Sequence, residues 1–200
     1  MKRQFKVMTG ILIIVLISYL YAHINRVHDI YKRDVDISAA ANNTTLINDI
    51  IQQEFVSGEA TLDGVRIKPN VRGGLEGISF AFTLDHLATG ERVAEGSISA
   101  EHLSGSQFLE FYFDTVENAA GQKYLFTTYI ENERDQELMG FLYDSTTAEY
   151  TSLIINGEER NGTLILRTVT SRFDLETFVV TIAFFAYIVL FMKYLYKLFK

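Results

Sequence analysis

Apolar and polar positions divide the chain into three stretches. From Val7 to Ala22 it reads VMTGILIIVLISYLYA, and from Phe178 to Met192 it reads FVVTIAFFAYIVLFM, both without a charge. Neither run has the polar face that a core helix of a soluble domain carries. A hydrocarbon core of ~30 Å needs about 20 helical residues. The flanking Phe5, Lys6, Lys193, Tyr194, Tyr196 and Lys197 make up the difference, because lysine stems lie along lipid and tyrosines favour its interface. The pattern predicts membrane helices over about residues 5–24 and 176–198. The alternative for the first is a cleaved signal peptide. Leu20 stands where cleavage after Ala22 would want a small residue, which favours an uncleaved anchor.

Between these runs the period changes to two. Ile78, Phe80, Phe82 and Leu84 alternate with Ser79, Ala81, Thr83 and Asp85. Val65 and Ile67 alternate with Arg66 and Lys68. Leu109, Phe111 and Phe113 alternate with Phe108, Glu110, Tyr112 and Asp114. Further strands are expected over Lys123–Ile130 after the Asn118–Gly121 turn, over Leu138–Tyr143, over Tyr150–Ile155 and over Thr163–Thr170. Asn156-Gly157 is a hairpin signal, since both residues tolerate positive φ, and Asn161-Gly162 repeats it. About eight strands with frequent turn signals predict a mainly β, antiparallel jelly roll or β-sandwich. The expected organisation is residues 1–24 tail and first membrane helix, 25–43 a polar stalk, helical or extended, 44–172 the β domain, and 173–200 the second membrane helix with a short basic tail.

Charge orients this arrangement. Lys2, Arg3 and Lys6 at one end, and Lys193, Lys197 and Lys200 at the other, face no acid in either tail. Basic flanks stay cytoplasmic, so both termini are expected inside and the β domain outside, in a cell membrane. The middle holds all 25 acidic residues against 12 basic ones, a formal charge of −13. It would repel phosphates, and a nucleic-acid partner is not expected. The absence of cysteine excludes disulfides, thiolate metal sites and cysteine nucleophiles.

Candidate chemistry is sparse. No nucleophile-elbow, zincin or phosphate-loop motif is present, so no catalytic residue, cofactor or metal ligand is assigned. His23 and His28 lie by the membrane exit, and His86 and His102 follow predicted strands beside Asp85 and Glu101. Adjacent residues on a strand face opposite ways, so these neighbours make poor base–acid pairs. Glu131, Glu133, Asp135 and Glu137 form an acidic loop that reads as solvated rather than as a calcium site. The sharpest ligand-binding candidate is the polar face of Glu110, Tyr112 and Asp114, extended by Phe108. Sugars present CH faces to aromatic rings and hydroxyls to carboxylates. An ordinary exposed strand, or one covered by a partner, is the plainer alternative. On the second helix Tyr187, Phe191 and Tyr194, at i, i+4 and i+7, make a stripe that faces either a partner helix or lipid.

The order of segments resembles the galactose-binding-like jelly-roll domains of bacterial membrane proteins associated with surface-polysaccharide glycosyltransferases. QQEFVSGEATLDGVRI, ISFAFTLDHLATGERVAEGSI, FLEFYFDTVENAAGQKYLFTTYIE and YTSLIINGEERNGTLILRTV carry the likeness over about residues 44–170. Phe113-Asp114-Thr115 lacks that family's Phe-x-Pro turn, and Ala120–Lys123 only approximates its Ser-x-Gly-Lys segment. The resemblance implies a non-catalytic accessory or binding subunit of the bacterial envelope. Its partners would be the lipid bilayer, another integral membrane protein and a glycan. Two alternatives remain open: a sensory or protein-binding module acting through a membrane partner, and a hydrolase with a carboxylate pair.

Overall fold

A computed structural model of the chain describes residues 2–32, 42–43, 49–71, 75–101, 103, 107–131 and 139–199. Helix α1 (Lys2–Tyr21) opens the chain. It is followed by β1 (His23–Asp29), β2 (Asn42–Asn43), β3 (Ile51–Val56), β4 (Thr61–Ile67), β5 (Pro69–Val71), β6 (Ser79–His86) and β7 (Glu91–Ser99). Then come β8 (Leu109–Glu117), β9 (Lys123–Ile130), β10 (Met139–Asp144), β11 (Ser152–Ile155), β12 (Glu158–Arg160), β13 (Thr163–Leu164), β14 (Leu166–Phe173) and helix α2 (Leu175–Leu198). The protein is thus mainly β, in antiparallel sheets. It divides into two compact units, residues 1–26 with 171–200, and residues 27–170.

In the larger unit one sheet has the order β1–β14–β4–β8 and another the order β12–β11–β3–β9–β6–β7. A third joins β13, β10 and β2, with β5 paired to β10. Alternation decides which side of each strand is buried. Phe80, Phe82 and Leu84 on β6, Tyr124 and Phe126 on β9, and Ile51 and Phe55 on β3 point one way. Val65 and Ile67 on β4 and Leu109 and Phe111 on β8 meet them from the other sheet. Phe111 packs edge-on against Phe82 at 5.3 Å and Phe126 at 5.1 Å between ring centroids, so the two sheets face each other across an aromatic core.

Several polar side chains are buried among the described residues, Gln53 among them. Gln53 is fully enclosed, and its side-chain amide donates to the carbonyls of Glu54 at 2.9 Å and Ser152 at 3.0 Å. Its Oε1 accepts the Leu164 N–H at 2.9 Å. A buried amide is tolerated when its hydrogen-bonding groups are paired, and here it ties β3 to β11 and β13.

Turn chemistry follows the sequence closely. Asn118 and Gly121 have positive φ in the β8–β9 turn, as do Asn156 and Gly157 in the β11–β12 hairpin. Three expectations change. The segment read as a stalk opens with strand β1, which takes its place beside β14. Residues Thr163–Thr170 do not form one strand. Thr163 and Leu164 pair with β10 while Leu166 onward pairs with β4, so one apolar run is shared between two sheets. Tyr150 lies in a turn at φ 61°, and the strand expected from it begins at Ser152. Strand β7, at the edge of the six-stranded sheet, carries no strict alternation because most of its side chains are solvated.

In the smaller unit, α1 ends at Tyr21, three residues before the expected boundary. Its uncharged run is Val7–Tyr21. His23 Nδ1–H donates to the Tyr19 carbonyl at 2.9 Å, supplying one of the partners that the end of a helix lacks. Asp174 caps α2, accepting from the N–H groups of Glu176 at 3.1 Å and Thr177 at 3.5 Å. Burial opposes ionisation of this carboxyl. The Thr177 and Glu176 donors, with Arg26 at 3.5 Å, outweigh it and hold the group below the usual aspartate range. Among the described residues one helix, α2, is long and apolar enough to cross a membrane, and none of its side chains is buried.

Candidate functional site

The predicted polar face lies on β8, the edge strand of the four-stranded sheet. Glu110, Tyr112 and Asp114 all point outward and are exposed, while Leu109 and Phe111 point into the core. Tyr112 is held flat by its neighbour across the ladder. It pairs with Gly64, next to an irregularity in register between Leu62 and Gly64. A Cβ at position 64 would stand 2.9 Å from the Phe111 carbonyl oxygen and 3.0 Å from Tyr112 Cδ1. Glycine within a strand is therefore what lets the tyrosine ring lie against the backbone.

Arg66 completes the arrangement. It faces outward on β4, opposite Glu110 on one side and Arg167 on the other. Its Nη2 donates to the Tyr112 hydroxyl at 2.6 Å, and its Nε lies 3.0 Å from Glu110 Oε1. That second N–H does not point at the carboxylate, so the contact is an ion pair rather than a directed hydrogen bond. Arg66 and Glu110 line an open cleft of about 470 Å³ with Phe108, Gln107, Ile98 and Leu103.

Phe108 is held from its own side. Arg167 Cζ lies 4.5 Å and Lys68 Nζ 5.3 Å from its ring centroid, within cation–π range. Arg167 is fixed in turn by Asp29 at 2.7 Å and by the Tyr31 hydroxyl, to which its Nη2 donates at 2.9 Å. Burial lowers the Lys68 pKa from the usual lysine value, and Arg167 adds to the effect. Burial likewise raises the Tyr31 pKa, against the opposing pull of Arg167.

The structure thus brings Phe108, Glu110 and Tyr112 together around Arg66. Asp114 falls into a second open cleft, of about 610 Å³, with Arg92, Val93, Ala94, Glu95 and Phe113. Arg66, Lys68, Arg167 and Tyr31 were not among the sequence candidates. Arg66 and Lys68 are visible in the sequence as the polar half of an alternating strand, but which strands flank β4 is a matter of sheet order.

On α2 Tyr187, Phe191 and Tyr194 are all exposed, and the first two rings stack at 6.0 Å and 14°. His86 is a turn residue: its Nδ1 accepts the Thr89 N–H at 3.2 Å, and its Nε2 lies 3.2 Å from Gln122 Oε1. His102 and the acidic positions Glu133, Asp135 and Glu137 lie outside the described residues. Among the described residues no cluster of three His, Asp or Glu side chains is placed to hold a metal ion.

No protein-family model matches the chain, and no curated protein does. Among solved structures it is similar to a xylan-binding module CBM15, at 12% identity over 74% of this chain and 71% of that one, with a TM-score of 0.23. At that score the likeness carries no inference about fold or ligand.

Proposed function

We propose that the protein is a non-catalytic binding subunit of the bacterial cell envelope. In this reading α1 and α2 both lodge in the membrane with the basic tails inside. The β domain, a jelly roll, is presented outside to a glycan, or to an enzyme or transporter that handles one. The observation that carries the reading is the exposed Tyr112 ring bonded to Arg66, which with Glu110 and Phe108 lines an open cleft. A sugar offers an apolar CH face to such a ring. Its neighbouring hydroxyls both donate and accept, so they can bond an arginine and a carboxylate together. A pocket of this size with a few convergent polar groups is the usual form of a small-ligand site. The membrane part is supported by α2, a 24-residue apolar helix with no buried side chain, and by basic residues at both ends of the chain.

The full-length protein in mild detergent, applied to a glycan array, tests this. Tyr112→Ala is expected to abolish binding while the urea midpoint stays where it was; undiminished binding removes the Tyr112 face from the site. Alkaline carbonate should leave the protein with the membranes, and its release would refute the anchoring.

A second reading, a module that acts through a membrane protein partner, is favoured by the exposed Tyr187–Phe191 stack on α2. It predicts a co-purifying membrane protein that is lost from the Phe191→Leu variant.

A further inference from the structure

The chemistry of the first cleft is repeated further along the same strand. β7 and β8 are edge strands of the two facing sheets, and among the described pairings none closes the gap between them. Both clefts open along this seam. The first joins Ile98 and Ser99 of β7 to Leu109 and Glu110 of β8. The second joins Val93, Ala94 and Glu95 of β7 to Phe113 and Asp114 of β8. The two strands therefore run in opposite directions across the seam. Four residues separate matching positions, from Ile98 to Ala94 and from Glu110 to Asp114, which is ~14 Å at the extended spacing of ~3.4 Å per residue.

Each cleft pairs an arginine with at least one carboxylate beside an aromatic ring. In the first these are Arg66, Glu110 and Phe108. In the second Arg92 is held by Asp85 at 3.0 Å and Glu95 at 3.3 Å, next to Phe113 and Asp114. Tyr112 stands between them on the outer side of β8, exposed.

We propose that the two clefts are consecutive subsites for one linear glycan lying along the β7–β8 seam. The ligand is then the interior of an unbranched oligosaccharide rather than a terminal sugar. This rests on the glycan reading of the first cleft and extends it. A site for a terminal sugar closes around one ring, whereas these clefts are open and follow one another along a straight edge. A motif repeated at an interval along an extended strand suits a ligand that itself repeats. The arginine in each cleft is balanced by acids, which favours neutral or weakly charged sugars over a polyanion.

The test is calorimetric titration of the full-length protein in mild detergent. The probes are di- to hexasaccharides of β-1,4-linked glucose, β-1,4-linked N-acetylglucosamine and α-1,4-linked galacturonic acid. In a series that binds, affinity should rise about tenfold or more between the shortest and longest members, as linked subsites fill. Arg92→Ala should remove that gain and leave the disaccharide affinity unchanged, with Glu95→Ala acting in the same direction. Phe108→Ala should weaken every length. Urea midpoints equal to that of the unmodified protein show that the variants are folded. If affinity levels off at the disaccharide, or neither Arg92→Ala nor Glu95→Ala alters the length dependence, the second subsite is refuted and the single-site reading stands. If no series binds, both fall.

Discussion

Replacing Gln53 by leucine removes a polar tie that crosses the buried junction of β3, β11 and β13. Leucine is close in size, so the packing loss is small. What changes is that the Leu164 N–H, 2.9 Å from Gln53 Oε1, loses that acceptor in a place water does not reach. Orphaning a buried donor costs about 1–3 kcal/mol. The two carbonyls that lose the Gln53 amide add less, because a carbonyl has a second lone pair. A total near 2 kcal/mol is expected. With a urea dependence of about 2 kcal/mol per M for a domain of this size, the unfolding midpoint should fall by about 1 M. The assay is urea unfolding of the full-length protein in mild detergent, followed by tyrosine fluorescence, since the chain has no tryptophan. Gln53→Glu distinguishes a lost hydrogen bond from a general disturbance. A carboxylate cannot donate to the Glu54 and Ser152 carbonyls, so the folded state would favour the protonated acid and raise its pKa. The stability of that variant should then be highest below the unfolded glutamate pKa of about 4.3 and fall as pH rises toward neutrality. Relative to the unmodified protein, the leucine variant should show no such slope. A leucine variant that unfolds at the original midpoint would refute the view that Gln53 holds these strands together.

Three further outcomes follow from the geometry. Phe111→Ala empties the centre of the aromatic core between Phe82 and Phe126 and should cost about 3–5 kcal/mol, read from the same unfolding curves. Gly64→Ala places a methyl group against the Phe111 carbonyl and the Tyr112 ring; about 1–3 kcal/mol of stability should be lost, and glycan binding weakened with it. For Lys68 the sign comes from its lowered pKa: between the folded value and the ordinary lysine value of 10.5 the unfolded chain binds more protons, so stability should rise with pH over that window. Lys68→Met should flatten the rise. Above about pH 10 the raised pKa values of Tyr31 and Tyr124 act in the opposite direction, and their contribution is lost as pH climbs.

The amino-acid order alone determined the local features. Alternation at 78–85 and 109–113 marked the buried faces of β6 and β8, because a strand places successive side chains on opposite sides whatever its neighbours are. Asn118, Asn156 and the glycines marked turns through their tolerance of positive φ, which is likewise a property of the residue. The outward row of Glu110, Tyr112 and Asp114 followed from the same period of two. Tertiary structure decided which strands are neighbours, and that is where the candidate site is made. Arg66 meets Glu110 and Tyr112 only because β4 pairs with β8, and Arg167 reaches Phe108 only because β14 lies on the other side of β4. The division of Thr163–Leu166 between two sheets, and the seam formed by β7 and β8, are likewise invisible to periodicity. A ladder is set by hydrogen bonds between residues distant in the chain, and a side chain's own sequence does not name its partner across it.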